Sequence, residues 1–117
     1  MGYPSSDPSM PKLPFRERIL QEAWIGDAVL SLYVRSRILK EQGHIDGQKS
    51  IRMTSNHFLS TLGEPSEVEA ELGRVYQQQG LDAAFAWIEE KVIPLFLKQE
   101  AKRARKLHLP STAADFK

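Results

Sequence analysis

From about Phe15 to Gln42 the chain carries one uninterrupted helical pattern that is apolar on two faces, and this limits the possible folds more than any other feature. Ile25, Ala28, Val29, Leu32 and Leu39 recur at helical spacing, and Leu30 and Val34 add a second apolar face. On composition alone, the run from Ala28 to Val34 would pass for a buried strand. Its flanks decide against that: Arg35, Arg37 and Lys40 place positive charge where a helix ends, and Gly43 supplies a fitting stop. A helix that is greasy on two sides needs its own core against one and a partner against the other.

The rest of the chain reads as shorter helices. A second is expected from near Gln48 to Leu62, with Ile51, Phe58 and Leu62 inward, ending at Gly63 and Pro65. Ser66 and Glu69 have the spacing of a capping box, in which each side chain satisfies a free backbone amide. The third helix carries Val68, Leu72, Val75 and Tyr76 on one side and stops near Gly80. A fourth begins near Asp82 and buries Phe85, Ile88, Val92 and Leu95, with a kink or break at Pro94, which lacks a backbone donor. No internal repeat and no hairpin signal is present, so the expected fold class is all-α. Residues 1–12, rich in Pro and Ser, read as a flexible tail, residues 13–107 as one helical domain, and residues 108–117 as a C-terminal tail.

Composition excludes several classes. With 41% hydrophobic and 26% charged residues, the chain has enough apolar material for a core, which argues against wholesale disorder. The absence of cysteine excludes disulfide scaffolds and thiolate metal sites. No apolar run approaches the roughly 20 residues of a membrane span, and the N-terminal residues lack a signal-peptide core. The expectation is a cytoplasmic protein with no membrane partner.

Chemistry concentrates around Ala23-Trp24-Ile25-Gly26-Asp27-Ala28-Val29-Leu30. Asp27 is an acid in apolar surroundings, where a carboxylate needs a cation, a donor or a proton. Gly26 beside it permits close approach of another backbone. Pairing of Asp27 with an arginine such as Arg35 is the competing structural explanation. Lys98, Lys102, Arg103, Arg105 and Lys106, with His108, gather at the C-terminal end, where they suit either phosphate contacts or the end of a helix dipole. His44 and His57 lack metal-ligand spacing and read as surface or cap residues, while Trp24, Tyr33, Phe85 and Trp87 suit core or dimer contacts better than base stacking.

The segment around Gly26-Asp27 resembles the signature of the ribonuclease III family, in which a Glu, two intervening residues, Gly and Asp precede a run like Ala-Val-Leu. Glu69-Ala70-Glu71-Leu72-Gly73-Arg74-Val75-Tyr76, followed by Gly80-Leu81-Asp82-Ala83-Ala84, is similar to that family's later helix and the start of its last one. Met53-Thr54-Ser55-Asn56 with Leu59 matches a shorter segment between them, so the likeness runs in order from about Gln21 to Leu97. Two of the family's four carboxylates are replaced, by Ala23 and by Ser66, and the middle is shortened around Gly63. The first replacement is shared with the Mini-III branch, which also lacks a double-stranded-RNA-binding domain. Glu22 is one residue, about 100°, away from the lost position on the helix and is a poor substitute.

The resemblance implies a compact helical endonuclease domain in which Asp27 and Glu69 bind Mg²⁺ or Mn²⁺ and carry the hydrolysis of double-stranded RNA, of the ribosomal RNA precursor kind. It also implies a two-fold homodimer formed through the signature helix, with Trp24, Ile25, Ala28, Val29 and Leu32 at the interface. Lys98, Lys102, Arg103, Arg105 and Lys106 are then the candidate RNA contacts. The alternative is a catalytically degenerate ribonuclease III-like dimer that binds RNA or a ribonucleoprotein as a structural module; the missing carboxylates favour it. An unrelated helical interaction domain is the third reading.

Overall fold

The computed structural model describes residues 14–107, and every element among them is helical. The tails expected at residues 1–12 and 108–117, His108 included, lie outside the described residues. Six helices follow in order: α1 Phe15–Gln42, α2 Gly47–Thr54, α3 Asn56–Leu59, α4 Pro65–Gln79, α5 Leu81–Lys91 and α6 Ile93–Lys106. None is long and apolar enough to cross a membrane.

α1 is 28 residues long and ends where Gly43 turns left-handed at φ 76°, its amide donating to the Leu39 carbonyl at 2.9 Å. Its inner and outer faces differ from the expectation. Leu30 and Val34, the supposed second face, are buried with Val29, Tyr33 and Ile38. Ala28, Leu32 and Leu39 point outward with Leu20, and Trp24 is 78% exposed. A helix with apolar residues on two sides has no direction in its periodicity, and the packing of α4 and α2 selects the inner one.

The expected second helix is two. Ser55 is extended, with ψ 151°, and its hydroxyl accepts from the Phe58 amide at 3.1 Å, so it caps a new turn rather than continuing the old one. That break rotates the register: Lys49 and Met53 face inward on α2, whereas Ile51, expected inside, is 66% exposed. Phe58 and Leu59 are buried and Leu62 packs against the core.

The capping box also gives way. Pro65 takes the first turn of α4, where its missing donor is no loss, and the Glu64 carboxylate one residue earlier accepts from the Glu67 amide at 2.9 Å. Ser66 lies inside the helix, and Glu69 is released from a capping role. Pro94 does interrupt the last segment: α5 ends at Lys91, and α6 restarts at Ile93 after Val92. Ile88, Val92 and Phe96 form the inward row, and Leu95, expected to be buried, is partly exposed beside it. The core is closed by edge-on ring pairs, Tyr33 with Phe85 at 5.1 Å and Phe58 with Phe96 at 5.7 Å between centroids.

Candidate active site: two carboxylates at a helix crossing

α1 and α4 make the most extensive contact in the molecule, and small residues allow it. Ala23 and Gly26 on α1 and Ala70 and Gly73 on α4 are all buried. A Cβ at Gly26 would overlap the Glu69 carbonyl, and one at Gly73 would overlap the carbonyl of Glu22, so the two backbones touch. Gly26 meets Glu69 and Gly73, while Gly73 meets Glu22 and Gly26, so the helices run antiparallel.

This crossing fixes the two acids singled out from the sequence. Asp27, next to Gly26, and Glu69, whose carbonyl lies on Gly26, come within hydrogen-bonding reach through their side chains. Burial pushes the Glu69 carboxyl up to about 8, and the hydrogen bond from Asp27, the Asp27 charge and the Glu64 charge push the same way. Glu69 is half-buried and Asp27 exposed. At neutral pH the pair therefore holds a proton between two carboxyls, and Asp27 opens it to solvent. Among the described residues Asp27 makes no ion pair with Arg35; its neighbour is the other acid.

The remaining acids nearby have other tasks. Glu22 bonds Arg74 at 2.9 Å, which ties α1 to α4 and keeps Glu22 from standing in for an acid at Ala23. Glu71 accepts from the Trp87 indole at 2.9 Å, and Glu64 caps α4. An open groove walled by Arg18, Glu22, Glu71 and Arg74 includes neither Asp27 nor Glu69. Among the described residues no group of three or more His, Asp or Glu side chains could hold a metal ion. The donor set is therefore two carboxylates, the least that a hard oxygen-seeking cation with several retained waters uses.

The other candidates lie elsewhere. Lys98, Lys102, Arg105 and Lys106 are exposed on α6 and Arg103 is half-buried; none is near Asp27, because α6 is joined to α2 and the far end of α1. Of the residues expected at a dimer interface, Trp24, Ala28 and Leu32 lie on the outward strip, Ile25 is half-buried against the core, and Val29 is only 6% exposed and belongs to the core itself. His44 is exposed, with its Nδ1 beside the Ile45 carbonyl at 3.2 Å, and His57 is an exposed residue of α3.

Sequence reasoning missed one polar cluster. Glu100, 1% exposed, is gripped by Arg52 through two hydrogen bonds of 3.0 and 2.9 Å, and Lys49, 2% exposed, donates to Gln42 at 2.8 Å. The signal was the inward register that Glu100 shares with Phe96 and Ala104. Compared with protein-family models, with curated proteins and with solved structures, the chain gives no match.

Proposed function

We propose that the chain is a metal-dependent endoribonuclease domain of the ribonuclease III type, cutting double-stranded RNA such as ribosomal RNA precursors. The observation that carries this reading is the Asp27–Glu69 pair, two acids 42 residues apart in sequence that meet at a crossing built from glycine and alanine. Phosphodiester hydrolysis needs a more acidic water and a stabilised leaving oxygen, and Mg²⁺ or Mn²⁺ held by carboxylates supplies both. Asp27 presents its oxygens to solvent, where a phosphate backbone can approach. Glu69 backs it from a half-buried position and gives up its shared proton when both side chains turn to a cation. The crossing keeps the pair from separating, since neither backbone can move without opening the Gly26–Gly73 contact.

A homodimer is part of the same proposal. The outward strip of Leu20, Trp24, Ala28, Leu32 and Leu39 is a large apolar surface on one helix, and a second copy covers it most simply.

A second reading rests on the donor count. Two carboxylates, with Ala23 and Ser66 where the resemblance implies acids, suit a degenerate relative that binds RNA or a ribonucleoprotein without cutting it. Labelled duplex RNA incubated with the protein in Mg²⁺ or Mn²⁺ separates the two. Metal-dependent cleavage that disappears in both Asp27→Asn and Glu69→Gln supports the enzyme. Binding without cleavage supports the module, and cleavage unchanged in both variants contradicts the assignment of the site.

A further inference from the structure

Lys98, Lys102 and Arg105 share the outward face of α6, while Phe96, Glu100 and Ala104 share its inward face. The helix thus turns a cationic strip to solvent over most of its length. Complementing the helix dipole does not account for this strip, because Lys98 lies in the second turn, far from the last carbonyls.

Polar joins fix where the strip sits. Arg52 holds Glu100 bidentately, and Lys49, one turn before Arg52 on α2, bonds Gln42, the last residue of α1. Phe96 meets Phe58 of α3, and Glu100, one turn later, meets α2, so α6 runs toward the end of α1. Residues beyond Glu100 extend further the same way. Asp27 precedes Gln42 by 15 residues, roughly 22 Å at the rise of a helix. A buried, bidentate ion pair and packed rings hold that distance rigid.

We infer that the outward face of α6 is a second RNA contact, gripping the phosphate backbone of a duplex at a fixed distance of about 20 Å from the carboxylate pair. This rests on the nuclease reading and adds to it the substrate's length. At about 3.4 Å per step along a strand, roughly six base pairs lie between the phosphate at Asp27 and the one at Lys102. A shorter duplex reaches one contact or the other, not both.

The test is fluorescence anisotropy without divalent metal, so that nothing is cut, using RNA duplexes of about 5, 10, 15 and 20 base pairs. Wild-type affinity should rise about ten-fold or more between the shortest and the intermediate duplexes. The combined Lys98→Glu, Lys102→Glu, Arg105→Glu variant should lose that rise and lower the salt slope by about three, and Lys102→Ala should show part of the loss. All three side chains are exposed, and circular dichroism checks that the fold survives. Asp27→Asn should keep the rise. A rise that survives the charge reversal, RNA binding with no dependence on length, or equal binding of single strands overturns the inference while leaving the nuclease reading standing. Failure to bind RNA of any length overturns both.

Discussion

Two glutamates, each withdrawn from water where helices meet, end in opposite circumstances. Glu100 at the α2–α6 joint is 1% exposed and held by the two-pronged grip of Arg52. Glu69 at the α1–α4 crossing is half-buried against another acid, and its carboxyl is pushed up to about 8. Burial of an acid is thus not itself a sign of function. A glutamate that faces a guanidinium is spent on fixing one helix to another, whereas a glutamate that faces a carboxylate keeps an unsettled charge that only a proton or a cation relieves.

The sharpest break of this contrast is to remove the cation from the settled site. Arg52→Ala leaves Glu100 buried without its main partner and should destabilise the fold by about 3–5 kcal/mol in urea denaturation, whereas replacing both residues with methionine should cost far less. At the other joint the vulnerability is steric. Gly26→Val drives a side chain into the Glu69 carbonyl and should destabilise by about 3 kcal/mol or more, because backbone on both sides must shift.

A smaller effect follows from the sign of the Glu69 shift. Between the ordinary carboxylate range and about pH 8 the folded protein holds a proton that the unfolded chain has released. The stabilisation is complete below the unfolded value and is lost as pH rises through the folded one. Allowing for solvent screening at a half-exposed site, stability should fall by about 1 kcal/mol from pH 5 to pH 8.5, and Glu69→Gln should remove that slope. Smallest of all, Ile51→Ser should change stability by less than about 0.5 kcal/mol, since Ile51 is 66% exposed; a larger loss would return it to the core.

The same contrast shows how much was legible in the sequence. The extent of α1 and its stop at Gly43 follow from periodicity and a left-handed cap. Its inward side does not, because Leu30 and Leu32 belong to equally apolar stripes and only the neighbours choose between them. The start of α4 offered two acceptors, Glu64 and Ser66, and the proline between them was the overlooked signal, since proline favours the first helical position and so puts the cap just before it. Asp27 and Glu69 were found by likeness to a family and not by spacing, because their meeting depends on Gly26 and Gly73 removing two side chains from a crossing that no local pattern reveals. The Arg52–Glu100 grip was invisible for a similar reason: both residues are common at helix surfaces, and only the packing of α6 on α2 turns them inward.

The most direct test of the carboxylate pair is an NMR titration of the Glu69 side-chain carboxyl carbon. A midpoint near pH 8 that drops toward the ordinary carboxylate range in Asp27→Asn is the predicted result. A midpoint already in the ordinary range, unmoved by that substitution, would mean that the two acids do not face each other and would contradict the site.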